Sequence, residues 1–121
     1  MTLTMMLVDD DPDAQRIFKL VIQHHQHQAI LAGDAYSAIE LLQTEQPEVI
    51  VIDLLLPGLD GYQTLDRLRQ LAPNAVFVAT SAYHAVGTYE SVLLRGFKGF
   101  LPKPLDASIM VGSLEAMVDE R

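Results

Sequence analysis

Asp9, Asp10 and Asp11 stand together after one short apolar run, Asp53 stands alone after another, and Ser81 and Lys103 follow two more. Two unit charges about 4 Å apart repel by roughly 4 kcal/mol at an effective dielectric near 20, so a pocket that gathers such acids calls for a cation. Hard carboxylate oxygens suit Mg2+, which takes one or two protein carboxylates and completes its shell with water, backbone carbonyl and phosphate oxygen. A carboxylate can also attack phosphorus and form an acyl phosphate. Phosphoryl transfer mainly requires positioning and neutralisation of three equatorial oxygens. A metal could take one, the Lys103 ammonium a second, and the Ser81 hydroxyl or a neighbouring amide the third. Asp53 is the better acceptor, because it is the lone acid on its run while Asp9 and Asp10 form a pair.

These residues can act together only if the fold brings the runs side by side. The runs are of strand length, at Thr4–Val8, Gln28–Ala32, Val49–Leu54, Ala75–Thr80 and Lys98–Leu101, and segments of helical period separate them. Ala14, Ile17, Phe18, Val21 and Ile22 make one apolar helix face. Ala35, Ala38, Ile39 and Leu42 make a second, and Leu65, Leu68 and Ala72 a third. Val86, Tyr89 and Leu93 mark a fourth, and Met110, Leu114, Met117 and Val118 a fifth. Asp11-Pro12 reads as an N-cap with proline in the first helical position, and Asp60 and Asp106 read as caps of the third and fifth helices. Strict alternation predicts an α/β fold, a five-stranded parallel sheet with helices on both faces. In such sheets functional groups collect at the carboxyl ends of the strands. With the order 2-1-3-4-5, the first and third strands are neighbours and Asp9, Asp10 and Asp53 meet.

The 121 residues have room for one domain, expected to span 1–121. There is no cysteine, hence no disulfide frame, thiol nucleophile or sulfur-based zinc site. Sixteen acids against eight bases give a net charge of −8, which argues against direct nucleic-acid binding by this domain. No apolar run approaches bilayer length, so no membrane span is expected. The N-terminus lacks the basic region of a secretory signal, and a cytoplasmic location is expected.

Taken in order, four segments resemble the receiver domain of bacterial two-component response regulators. They are Leu7-Val8-Asp9-Asp10-Asp11-Pro12, the run from Val51 through Asp53 to Asp60-Gly61, Thr80-Ser81-Ala82-Tyr83, and Phe100-Leu101-Pro102-Lys103-Pro104. The resemblance extends from Met5 to about Val118, and the family's chemotaxis regulator is a standard example of the flavodoxin-like strand order. It implies that Asp53 accepts a phosphoryl group from a histidine kinase or phosphotransfer protein. It further implies that Asp10, Asp53 and the backbone carbonyl of Leu55 hold Mg2+, with Asp9 acting through water. Ser81 is then the hydroxyl that shifts toward the phosphoryl group, Lys103 pairs with that group, and Phe100 is the ring that turns inward on activation. Thr80 is the less favoured hydroxyl, and Asp11 a metal ligand only if it is not the cap. The Lys103-Pro104 bond is expected to be cis. Leu55 and Tyr83 lie where the family tunes access of hydrolytic water, and their bulk implies a long-lived phosphorylated state. Kinase docking is expected on the first helix around Ala14, Ile17 and Phe18. The output surface, and any homodimer contact, is expected on the fourth helix, fifth strand and fifth helix. The output itself would be a separate partner or an attached domain.

Plainer readings stand beside these. Phe100 could simply be core, and the acidic surface is mostly solvation. His24, His25 and His27 sit near the end of the first helix, where histidine suits the negative end of the dipole. His25 is expected to continue the apolar face and His24 and His27 to point to water, which leaves little for a metal site. A haloacid-dehalogenase-like phosphatase would also use an aspartate nucleophile with Mg2+, but it needs a second aspartate two residues after the first, where this chain has Leu55. A flavodoxin-like nucleotide or flavin binder needs a glycine-rich loop after the first strand, and none is present.

Overall fold

Val49, Ile50, Val51 and Ile52 are apolar without alternation, the signature of a strand covered on both sides. In the computed structural model, which describes residues 2–83 and 88–121, all four are buried at the centre of a parallel sheet. The elements run β1 (Thr4–Val8), α1 (Pro12–His24), β2 (Gln28–Ala32), α2 (Ala35–Leu41), β3 (Val49–Asp53), α3 (Gly61–Leu71), β4 (Val76–Ser81), α4 (Thr88–Arg95), β5 (Gly99–Pro102) and α5 (Met110–Asp119). The strand order is β2-β1-β3-β4-β5, the flavodoxin-like order expected from the alternation. Val86 of the expected fourth helix lies outside the described residues. Among those residues no helix is long and apolar enough to cross a membrane.

Alternate strand residues divide the interior in two, since successive side chains leave a strand on opposite faces. Met5, Leu7, Val49, Val51 and Val78 face Ala14, Phe18 and Ile22 of α1 and Met110, Leu114 and Val118 of α5. Met6, Val8, Ile50, Ile52 and Ala79 face Ala38 of α2, Leu65 and Leu68 of α3 and Val92 of α4. Helix entry is set by side-chain caps. Asp11 accepts from Asp13 N ahead of Pro12, Asp34 accepts from Ser37 N, and Asp60 and Gln63 form a reciprocal capping box.

Three expectations are corrected. Asp106 does not cap α5: its carboxylate accepts from Ser108 N and Oγ in a preceding turn, and the helix starts after Ile109 without a side-chain cap. Ala14 and Phe18 cannot form a docking face, because the apolar stripe of α1 is the side turned to the sheet. His24 faces water as expected, but His25 and His27 exchange places. His24 and His25 are exposed, while His27 is 6% exposed. The helical period ends at His24, and the chain reverses through Gln26 at φ 65, which turns His27 inward. There His27 Nδ1 accepts from Leu3 N at 2.9 Å and Nε2 meets Glu115 Oε2 of α5 at 2.9 Å. The acceptor role of Nδ1 places the proton of the neutral ring on Nε2.

Candidate functional site

The register of the sheet assembles the site. Val8 of β1 lies beside Ile52 of β3, and Asp53 beside Thr80 of β4, so the residues that follow these strands emerge at one edge. Lys103 N donates to Ser81 O at 3.0 Å, which seats the residue after β5 against the end of β4. The expected Lys103-Pro104 cis bond is present. Asp9, Asp10 and Asp53 each offer a carboxylate oxygen within 4.8 Å of the others. Asp9 and Asp53 are buried and Asp10 is exposed.

Lys103 joins the two buried acids. Its ammonium donates to Asp53 Oδ2 at 2.9 Å, lies 2.7 Å from Asp9 Oδ2, and stands 3.7 Å from Asp11 Oδ2. The remaining oxygens take backbone donors: Asp11 N to Asp9 Oδ1 and Leu55 N to Asp53 Oδ1, both at 3.0 Å. Asp9 Oδ2 is buried and close to the ammonium, yet no hydrogen bond is aligned on it among the described residues. Burial pushes the Asp9 carboxyl up to about 6, and the charge of Asp53 adds to the rise; Lys103 and the Asp11 amide offset it only in part. For Lys103, burial works against the charged form, but Asp9 and Asp53 more than compensate and raise it above the ordinary lysine value.

The Asp9–Asp10–Asp53 cluster has one ammonium, that of Lys103, on two of its members, which leaves two negative charges uncompensated when all three are ionised. That excess, a buried oxygen without an aligned donor, and an all-oxygen donor set fit a hard divalent cation. The aspartate cluster could hold a metal.

Ser81 is 1% exposed, and its Oγ accepts from Tyr83 N at 3.1 Å, which leaves its own proton to donate elsewhere. Thr80, the other hydroxyl candidate, donates to Leu101 O at 2.7 Å within the sheet. Asp11 caps α1. Leu55 and Tyr83 are exposed at 58% and 76% and line one cleft beside the site together with Ser81, Tyr62 and Thr88. Phe100 is half-buried in β5 against the α3–α4 side of the interior.

Two contributors were given no role by the sequence reading, although Gly61 stands at the end of its second motif. A Cβ on Gly61 would lie 2.5 Å from Leu54 Cα and 2.6 Å from Asp53 O, so the first residue of α3 packs directly on the end of β3 and admits no side chain. The Asp60 cap just before it was a usable signal. The second is Gln15, whose Nε2 donates to Asp9 O at 2.6 Å. Its place four residues after the cap Asp11 directs it back over the loop, but nothing in its type singles it out.

Comparison with known proteins agrees with this geometry. The model of the response regulator receiver domain matches residues 5–115. An uncharacterized 14.6 kDa protein of Leptolyngbya boryana is 30% identical over 104 residues, which cover 84% of this chain and 79% of that protein. The probable transcriptional regulatory protein TcrX of Mycobacterium tuberculosis is 28% identical over 95% of this chain, and the chain spans only 49% of its length. The receiver domain of the Francisella response regulator 1452 shares the fold, with a TM-score of 0.87, 98% of each chain covered and 24% identity.

Proposed function

Because the chain belongs to the response regulator receiver family, we propose that its phosphorylation-controlled switching runs through Asp53 as phosphoacceptor, with Lys103 and Ser81 as its working partners. The observation that carries this reading is the Lys103 ammonium shared between Asp9 Oδ2 and Asp53 Oδ2 beside an uncompensated carboxylate cluster. A carboxylate oxygen of Asp53 attacks phosphorus, a P–O bond forms, and the bond from phosphorus to the donor, a phosphohistidine nitrogen of a histidine kinase or phosphotransfer protein, breaks. Asp10, Asp53 and the carbonyl of Leu55 would hold Mg2+, with Asp9 reached through water. When bound, the ion neutralises charge on the phosphoryl oxygens.

Lys103 moves its contact from the carboxylates to a phosphoryl oxygen without leaving the pocket, because its backbone amide is held by Ser81 O and only 11% of its side chain is exposed. Ser81 donates its free proton to another oxygen. Its shift toward the phosphoryl group makes room for Phe100 to turn inward, which changes the surface of α4, β5 and α5. Tyr89 and Leu94 of α4 are exposed at 55% and 87%, and a second copy or an output partner is expected there. On α1 the docking residues for the kinase are those that face solvent, Arg16, Lys19 and Leu20, in place of the buried Ala14 and Phe18. The chain spans about half the length of regulators such as TcrX, and an attached output domain remains part of the proposal. A cytoplasmic site of action is part of this reading.

Incubation with a small phosphodonor and Mg2+ tests the reading. Stoichiometric labelling that disappears in Asp53→Asn is expected. Labelling that persists in that variant overturns the acceptor assignment, and release of many equivalents of product would favour the haloacid-dehalogenase-like phosphatase.

A further inference from the structure

The carboxylate of Asp10 is exposed, and among the described residues no hydrogen bond holds its oxygens. Its placement therefore rests on the backbone of residues 9–11. That backbone lies beyond the β1 ladder, whose register ends at Val8. Four bonds hold it instead: Asp9 N to Ala32 O at 2.9 Å, Asp11 N to Asp9 Oδ1 at 3.0 Å, Gln15 N to Asp11 O at 3.0 Å, and Gln15 Nε2 to Asp9 O at 2.6 Å. The first fixes Asp9 at its amide, and the second and third hold the Asp10–Asp11 peptide and the Asp11 carbonyl on the far side of Asp10. Only the fourth acts on the carbonyl of the Asp9–Asp10 peptide, one of the two units that flank Asp10. A carbonyl oxygen can only accept, so the Gln15 amide nitrogen must face it, and the contact depends on a donor of this length.

From this the geometry points to Gln15 as a positioning residue for the metal site: its side-chain amide locks the Asp9–Asp10 peptide and thereby presents the Asp10 carboxylate to the cation. The inference rests on the proposed metal role of Asp10 and adds a residue that touches neither the ion nor the phosphoryl group. Partners that orient ligands from outside the coordination shell change metal affinity by about 10- to 100-fold when removed. Acting through one peptide unit, Gln15 belongs at the low end, about tenfold.

Gln15→Met keeps length and neutrality and removes only the donor. Its Mg2+ affinity is measured by calorimetry on the intact, unphosphorylated chain, alongside wild type and Ile17→Ala, which trims a half-buried residue of the same helix away from Asp9. The carbonyl carbon resonance of Asp9 is recorded without metal. The expected result is a Kd for Mg2+ about tenfold higher in Gln15→Met with a shifted Asp9 carbonyl resonance, and an unchanged Kd in Ile17→Ala despite lower thermal stability. Wild-type affinity in Gln15→Met, or an equal loss in Ile17→Ala, overturns the role of Gln15 while leaving the metal site in place. A wild-type chain that takes up no Mg2+ overturns the metal reading of the aspartates and the role of Gln15 with it.

Discussion

Replacing Asp9 by Asn should stabilise the metal-free protein at neutral pH, even though it removes an acid from the centre of the site. The Asp9 carboxyl is raised from an ordinary 3.8 to about 6, chiefly because it is buried. Its ionised form is therefore tolerated worse in the folded chain than in the unfolded one. Well below pH 3.8 both states hold the proton and the penalty is absent; it builds up between 3.8 and 6, and above pH 6 both have lost the proton and the penalty is complete. The shift of about two units is worth about 3 kcal/mol at 1.36 kcal/mol per unit. Asn is the same size, its Oδ1 can still accept from Asp11 N, and Lys103 keeps Asp53 at 2.9 Å. Loss of the second Lys103 contact offsets part of the gain, so a net stabilisation of about 1–3 kcal/mol is expected, an increase of roughly 3–10 °C in Tm. The assay is thermal unfolding in chelator from pH 4 to pH 8 for both proteins. The gap should be largest above pH 6 and close toward pH 4 as wild type recovers stability. Saturating Mg2+ should narrow it at pH 7.5, since a ligand bound only by the folded state stabilises that state. An Asp9→Asn chain that is less stable than wild type at pH 7.5 without metal, or a gap that does not change with pH, would refute the argument that burial of this charge dominates.

Two further outcomes follow from single contacts. Leu55→Asn, which sets a polar group where an exposed leucine borders the cleft beside Asp53, should shorten the lifetime of the acyl phosphate; radiolabel loss from the purified phosphoprotein measures it, and an unaltered lifetime removes the water-access explanation. His27→Phe should leave the buried Leu3 N–H without its acceptor and cost about 1–3 kcal/mol in denaturant unfolding. Labelling of Asp53 in that variant should stay normal, because His27 bonds to Leu3 at the start of β1, at the opposite end of the strand from Asp9.

What could be read in advance divides along a physical line. Thr4–Val8 and Gln28–Ala32 lie where the apolar runs put them, and the stripe through Ala14, Phe18 and Ile22 packs on the sheet, because period and burial are local consequences of residue type. The acidic site was legible for a related reason. A parallel sheet delivers the residues after its strands to one edge, so their order along the chain nearly determines who meets whom. Polar partners across the fold were not legible. Extending the α1 period past His24 sent His27 to solvent, whereas a turn at Gln26 carries it to Leu3 and Glu115. Asp106 looks like a cap until Ser108 takes its carboxylate. Docking on Ala14 and Phe18 transferred a helix from the family without asking which of its sides the sheet had taken. Gln15 carries no motif at all, since its role comes from one carbonyl left over where the β1 ladder stops.

The same distinction explains why the site keeps its cost. Apolar packing on both faces of β3 is large and insensitive to any one contact, and it can hold Asp9 and Asp53 buried beside each other with a single ammonium between them. A lysine suits that place better than a second cation fixed in geometry. Its ammonium is a point charge on a flexible stem that bridges two carboxylates here and, in the proposed switch, turns to a phosphoryl oxygen. In the proposed switch a divalent cation offsets the uncompensated carboxylate charge of the resting pocket and, with Lys103, the negative charge that the phosphoryl group brings, so the loaded pocket favours a different placement of Ser81 and of the surface beyond it.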